Sequence, residues 1–170
     1  DDRRKPLADA LTELREAASL YESDQGALVA TLTSLVKKWT RSLPEKNAAQ
    51  HAARKEFDPI AESIRGLVKQ VDLLYKLAAR VADLGAGLSD DDDVSAAYDR
   101  RTTAKLVKQL DEERRAAVEQ LKQTAYFHRQ VAWLQDRFPE AELQAVPGLV
   151  KRVRRKEIEA ADRSLTPGRY

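Results

Sequence analysis

The chain has 170 residues, which is long enough for one domain with its own hydrophobic core, and it contains no cysteine that could form a disulfide, a thiolate zinc site or a catalytic nucleophile. Its 30 basic and 28 acidic residues nearly balance, which argues against a histone-like basic tail and against an acidic disordered chain. Six glycines and six prolines are too few for a turn-rich β-sandwich or barrel and suit long helices with few breaks.

The hydropathy pattern predicts no membrane-spanning segment. The longest apolar runs have four residues, whereas a spanning helix needs about 20. We therefore expect a cytoplasmic protein that does not bind membranes. The chain begins with Asp1 and contains no methionine, which indicates a piece of a longer chain.

The first predicted helix is marked by an apolar stripe over residues 7–39. Apolar residues, with Gln25 as the one polar member, recur there at alternating steps of four and three, the heptad pattern of a helix that packs along a partner. Pro6 suits the first turn of a helix and Pro44 cannot continue one. The pattern predicts either one helix over about 6–43 or two helices that meet near Gly26, and the unbroken phase across Gly26 favours one helix.

The second predicted helical region has two parts. Residues 45–57 are rich in alanine and predict a short helix that leads into Asp58 and Pro59, a good N-cap and first-turn pair. A second heptad stripe follows over residues 60–84, and Gly85 is placed to end that helix.

The third predicted helix is the longest. It follows an exposed loop over residues 85–93, where Asp93 could cap the first turn, and it runs from about Val94 to Phe138. Such a helix would be roughly 67 Å long, so it must bury its stripe against equally long partners. For residues 1–139 the sequence therefore predicts an all-α fold, an elongated antiparallel helical bundle or coiled-coil-like arm.

Residues 140–170 have a different character and predict an irregular basic tail with one short helix over about 156–162. The tail contains a basic cluster that could contact a nucleic-acid backbone: Lys151, Arg152, Arg154, Arg155 and Lys156. Such a cluster carries no base specificity, and a solvated surface explains it about equally well.

The residues predict no active site. The two histidines, His51 and His128, lie on different predicted helices without an acidic ligand at metal-binding spacing, and for His128 we expect packing with a hydrogen bond. Gly85 and Gly87 follow a helix rather than a strand, so a phosphate loop is not indicated. We therefore assign no catalytic, cofactor-binding or metal-binding residue and expect an interaction module.

A resemblance to a known family enters in the C-terminal third. It is carried by three stretches of the tail: Pro147-Gly148-Leu149-Val150, Glu157-Ile158-Glu159-Ala160 and Ser164-Leu165-Thr166-Pro167-Gly168-Arg169-Tyr170. It is extended upstream by Tyr126-Phe127-His128-Arg129-Gln130, Trp133-Leu134-Gln135-Asp136-Arg137-Phe138-Pro139 and Leu73-Leu74-Tyr75-Lys76-Leu77-Ala78. In this order the stretches resemble the C-terminal end of the DNA-methyltransferase (modification) subunit of type I restriction-modification systems. The resemblance covers residues 126–170, with weaker similarity back to about residue 60.

The resemblance implies a role in assembly rather than in catalysis. Enzymes of that family transfer a methyl group from S-adenosylmethionine to N6 of adenine, using a glycine-containing cofactor motif and an Asn-Pro-Pro-aromatic motif. This chain has neither, so it is expected to bind no cofactor itself, and S-adenosylmethionine belongs to the parent enzyme. The implied partners are the specificity subunit, the restriction subunit and, through the assembled complex, DNA. The tail is expected to dock on the catalytic domain of the parent.

The predicted contact surface lies on the third helix. We expect its apolar stripe to remain partly uncovered, with Leu110, Leu121, Val131 and Leu134 as candidate anchors for the partner. A homodimer of the isolated chain would cover the same stripe. The alternative that the residues leave open is a self-contained structural coiled coil or helical adaptor without a nucleic-acid connection.

Overall fold

The computed structural model describes residues 2–166, and helices account for 77% of this part of the chain. The helices are α1 (Lys5–Arg41), α2 (Asn47–Ala86), α3 (Asp92–Ala97), α4 (Arg100–Arg137) and α5 (Arg155–Ala160). Within residues 2–166 the one β-type pairing is an isolated bridge between Val146 and Val150. The predicted all-α fold is confirmed, and α1, α2 and α4 each extend about 55–60 Å.

Helices α1 and α2 form an antiparallel pair. Near one end of the pair, Arg80 of α2 binds Glu13 of α1, with 3.1 Å between Arg80 Nη1 and Glu13 Oε2. Near the other end, Lys38 of α1 binds Glu56 of α2, with 2.6 Å between Lys38 Nζ and Glu56 Oε1. The order of these contacts along the two helices fixes their opposite directions.

Helices α2 and α4 are antiparallel as well. Arg114 Nη1 lies 2.7 Å from Asp72 Oδ1, and His128 Nε2 lies 2.8 Å from Asp58 Oδ1. Helix α2 is therefore the central helix, and α1 and α4 pack on it in the same direction as each other.

The hydrophobic core lies where the three long helices meet. Its buried members come from α1 and α2: Leu28, Leu35, Ile60, Ile64 and Leu67. Around them pack Tyr21, Leu32, Trp39 and Phe57, together with Leu121 and Ala125 from α4. Ile64 is only 1% exposed, which places the centre of the core on α2. Apart from Phe57, these side chains occupy the predicted heptad positions, so burial of the stripes holds the arm together.

Helix α1 is continuous across Gly26, as the phase of its stripe predicted. The predicted division of the second region at Asp58-Pro59 is wrong, because α2 runs without a break from Asn47 to Ala86 with Pro59 inside it. Proline costs a helix interior one hydrogen bond and roughly 3 kcal/mol. Ile60, Ala61 and Ile64 immediately afterwards are at most 3% exposed, and their burial offsets that cost.

The predicted single helix over residues 94–138 is also wrong. The helical pattern is interrupted at Tyr98 and Asp99, which separate α3 from α4. Tyr98 has an extended backbone, and its hydroxyl donates a hydrogen bond to Ala82 O at 2.9 Å. Asp99 caps α4 by accepting the backbone N–H of Arg101 at 3.1 Å. The side chain of Tyr98 thus turns back to α2, and a new helix starts with its own cap.

The cap of α3 is Asp91 rather than the predicted Asp93. Asp91 Oδ1 accepts the backbone N–H of Val94 at 3.3 Å, and both Asp91 and Asp93 bind Arg4, which precedes α1. The aspartate-rich loop therefore fastens the start of α1 to the turn between α2 and α3.

The tail after α4 is irregular except for α5. This helix begins one residue before the predicted start at 156 and ends two residues before the predicted end at 162. The last part of the resemblance, Pro167-Gly168-Arg169-Tyr170, lies outside the described residues. None of the helices in residues 2–166 combines the length and the hydropathy required to cross a lipid bilayer.

Candidate partner-binding site

Helix α4 carries two heptad seams, of which one is buried within the chain. Its members alternate at steps of four and three and are all buried or half-buried: Val107, Asp111, Arg114, Val118, Leu121, Ala125, His128, Ala132 and Gln135. This seam packs on α2 and on the core, so on this side α4 buries its stripe along a long partner helix, as expected for a helix of its length. Leu121, one of the predicted partner anchors, belongs to this seam and contributes to the core of this chain.

The second seam is displaced by one residue, about 100° around the helix axis. It also follows steps of four and three: Leu106, Leu110, Glu113, Ala117, Gln120, Thr124, Phe127, Val131 and Leu134. We call these residues the outer seam. Phe127 is 69% exposed, Leu134 50% and Val131 42%, whereas Leu110 is half-buried. The predicted anchors Val131 and Leu134 therefore lie on an uncovered apolar surface near the C-terminus of α4. Leu110 belongs to the same seam but lies in the N-terminal half of the helix.

The outer seam borders a groove of about 750 Å³ between the first part of α2 and the C-terminal half of α4, to which α1 contributes Trp39. Trp39 of α1, Phe57 of α2, and Phe127 and Val131 of α4 form its apolar walls. Its polar members are mostly glutamines, including Gln120, whose amides can hydrogen-bond without the cost of burying a charge. A groove with these walls fits an apolar helix face better than a charged ligand.

The base of the groove is held rigid by aromatic and ionic contacts. The Phe57 ring lies between Trp39, at a centroid distance of 6.4 Å, and His128, at 5.5 Å. His128 Nε2 bonds to Asp58, which also accepts Arg54 Nη1 at 3.2 Å. The predicted packing of His128 with a hydrogen bond is confirmed, and these contacts position the walls before any partner binds.

A second point of the α2–α4 contact, nearer the middle of α4, is fixed by Arg114. This guanidinium bonds to Asp111 and to Asp72 and lies 5.1 Å from the centroid of the Tyr75 ring. The hydrogen bond from Arg114 holds the pKa of Asp111 below its ordinary value. Because α4 is fixed to α2 at both Arg114 and His128, the outer seam is presented on a firm support.

The predicted basic cluster lies on the tail, outside the groove lining, and is partly neutralised: Lys151, Arg152, Arg154, Arg155 and Lys156. Lys151 binds Glu157 at 3.4 Å and Arg155 binds Glu159 at 2.9 Å, whereas Arg152 and Lys156 form no ion pair within residues 2–166. Glu157 also accepts the backbone N–H of Arg154 at 2.7 Å, which lowers the pKa of its carboxyl. This arrangement caps α5 and leaves only part of the cluster for a phosphate.

The remaining candidates for chemistry stay apart. His51 lies two turns before Asp58 on α2, and its Nε2 is 2.9 Å from Pro139 O. His128 instead bonds to Asp58. In the part of the chain that the structure describes, no group of three or more histidine or carboxylate side chains is arranged to hold a metal ion.

Comparison with known proteins identifies no relative, because no protein-family model, curated protein or solved structure matches this chain.

Proposed function

We propose that this chain is the non-catalytic assembly segment of a DNA adenine-N6 methyltransferase subunit from a type I restriction-modification system. Its outer seam and groove bind long helices of the specificity subunit. The observation that carries the proposal is the outer seam, a second heptad-spaced apolar surface that the chain does not bury. The resemblance of residues 126–170 to the C-terminal end of such subunits supports the choice of partner.

The geometry of the groove supports a helix as the occupant. Residues of α1, α2 and α4 all line the groove, so a further helix seated there would complete a four-helix arrangement. Knobs from that helix would fit between Phe127 and Val131, which are one turn apart on α4, and against Trp39 of α1. Each large apolar side chain buried in this way contributes about 1.5–3 kcal/mol.

In this proposal the chemistry belongs to other parts of the assembly. S-adenosylmethionine binds to the catalytic part of the parent enzyme, and DNA and the restriction subunit join through the complete complex. This chain contributes a rigid surface that keeps the methyltransferase and the specificity subunit in a fixed relation.

The test is a calorimetric titration of the chain with the specificity subunit encoded beside the parent gene. The double variant Val131→Asp/Leu134→Asp should weaken binding at least 100-fold, because a charge in such a contact costs several kcal/mol. The matched control is Leu20→Asp/Leu73→Asp, which places the same charges on apolar residues that are 56% and 47% exposed and lie outside the groove lining. The control should bind like the unchanged chain.

Equal loss in both double variants would contradict the assignment of the outer seam as the contact. Failure of the unchanged chain to bind the specificity subunit would favour the alternative, a structural helical adaptor, and sedimentation would then reveal whether a second copy covers the seam.

A further inference from the structure

A third surface of α4 carries a regular row of positive charge. The row has one basic residue in every seven: Arg101, Lys108, Arg115, Lys122 and Arg129. All five side chains are exposed. Because seven residues rise about 10.5 Å, the row is nearly straight and extends about 42 Å along the helix. It lies on the side of α4 away from the outer seam, so a helix bound in the groove would leave it free.

The charge of this row is largely uncompensated. Of the five basic residues in the row, Arg115 alone has an ion pair within residues 2–166, with 2.5 Å between its Nη2 and Asp111 Oδ2. Glu112 and Glu119 share this face with the row and with Lys105. Helix α4 as a whole has nine basic and five acidic side chains, whereas α1 has five of each. The positive charge is therefore a property of α4 and not of the whole arm.

Two exposed aromatic rings lie among the cations in the second half of the row. Tyr126 is 50% exposed and follows Lys122 by four residues, and Trp133 is 39% exposed and follows Arg129 by four. Arg137 lies over the Trp133 ring, 4.3 Å from its centroid. Exposed rings beside cations offer flat faces on which a nucleobase can stack.

We infer that this face of α4 binds single-stranded nucleic acid, with phosphates on the basic row and unpaired bases on Tyr126 and Trp133. Cations that follow the backbone together with stacking rings are the two elements that such binding requires, and neither depends on base sequence. An acidic helix with a matching heptad repeat would satisfy the charges but would offer nothing to the rings. This site adjoins the groove at Tyr126, whose ring packs edge-on against Phe127 with 5.6 Å between the ring centroids, but it does not rest on the function proposed above.

The charge is tested by fluorescence anisotropy of the full chain with a labelled oligothymidine of about 30 nucleotides at several salt concentrations. The variant Lys108→Gln/Lys122→Gln/Arg129→Gln should bind at least tenfold more weakly, and the slope of log K against log salt should fall by about 2. The matched control, Lys55→Gln/Lys69→Gln/Lys76→Gln, removes three exposed charges of α2 that also lack ion pairs within residues 2–166. It should change the affinity less than threefold.

The rings are tested with Tyr126→Leu/Trp133→Leu. This variant should bind the single strand about tenfold more weakly than the unchanged chain. Its affinity for a duplex of equal length should be unchanged, because paired bases cannot stack on the rings. Circular dichroism checks that every variant keeps its helix content.

Three results would overturn the inference. They are equal weakening by the two charge variants, equal effects of the aromatic variant on single strand and duplex, and displacement of the oligonucleotide by poly-L-glutamate at the same concentration of charge. The last result would assign the row to an acidic polypeptide instead.

Discussion

Tyr98 and Gly85 make a contact between the α3–α4 connection and α2 that only glycine permits. A Cβ atom at Gly85 would lie 2.8 Å from both Cδ2 and Cε2 of the Tyr98 ring, closer than van der Waals contact allows. The ring cannot withdraw freely, because its hydroxyl is bonded to Ala82 O. This contact fixes the place where the chain leaves α3 and α4 begins.

Replacing Gly85 with alanine should therefore destabilise the fold. Overpacking costs about 1–3 kcal/mol, and the better helix propensity of alanine recovers up to about 1 kcal/mol, so urea denaturation should give a net loss of about 1–2 kcal/mol. Gly66→Ala is the matched control in the same helix, because no atom lies within 4 Å of its Cβ position. The control should gain about 0.5–1 kcal/mol, and similar effects of the two changes would contradict the contact.

At the scale of elements, the start of α1 depends on the aspartate-rich loop. Arg4 Nε lies 2.7 Å from Asp91 Oδ2, and Asp91 also caps α3. The hydrogen bond from Arg4 is the largest cause that lowers the pKa of Asp91 below its ordinary value. Because the folded-state pKa lies below the unfolded value of about 3.9, the resulting stability is present above pH 4 and is lost as the pH falls through the folded-state pKa.

The variant Asp91→Asn should accordingly lose stability at neutral pH and show a weaker dependence on acid. Urea denaturation between pH 6 and pH 2.5 should give a free energy of unfolding that falls less steeply for the variant than for the unchanged chain, so the two curves converge at low pH. Asp92→Asn alters an exposed neighbour that has no ion pair within residues 2–166 and should reproduce the unchanged curve. Parallel curves for all three proteins would contradict a role for the Arg4–Asp91 contact.

Heptad spacing predicted α1 well because that helix has one dominant stripe and its boundaries are marked by prolines. At Pro59 the local signal was misleading, because burial of the next turn overrides the cost of an internal proline. The break at Tyr98 left no hydrophobic signature, since its cause is a side-chain hydrogen bond to a distant turn. Tertiary contacts of this kind cannot be read from spacing alone.

The covered and uncovered surfaces of α4 were predicted only in part for a related reason, and the role of the uncovered one in binding a partner stays a prediction. The stripe predicted for the third helix mixed members of two seams, since Leu110, Val131 and Leu134 belong to the outer seam and Leu121 to the buried one. Two seams that differ by one residue share the same period, so sequence spacing detects both but cannot say which one the chain itself covers. Only the packing on α2 separates them.

At the scale of the molecule, α4 divides its circumference among three surfaces. One packs on α2, one exposes the outer seam beside the groove, and one presents the basic row. A helix of about 11 residues spans only three turns. The 38 residues of α4 span about 57 Å, so each external surface extends over many turns. The length of α4 therefore gives the chain two extended external surfaces on one helix.

The elongated shape can be measured by small-angle X-ray scattering. A compact protein of this size has a radius of gyration of about 15–16 Å, whereas a rod about 60 Å long and 20 Å wide has about 19 Å. The monomeric chain should give the larger value because its three long helices lie side by side and do not fold over one another. The variant Val131→Asp/Leu134→Asp should be measured alongside, since it suppresses association through the outer seam without touching the core. A value near 15–16 Å for a particle of monomer mass would mean that the helices fold into a compact bundle, and that no extended surface exists for a partner to follow.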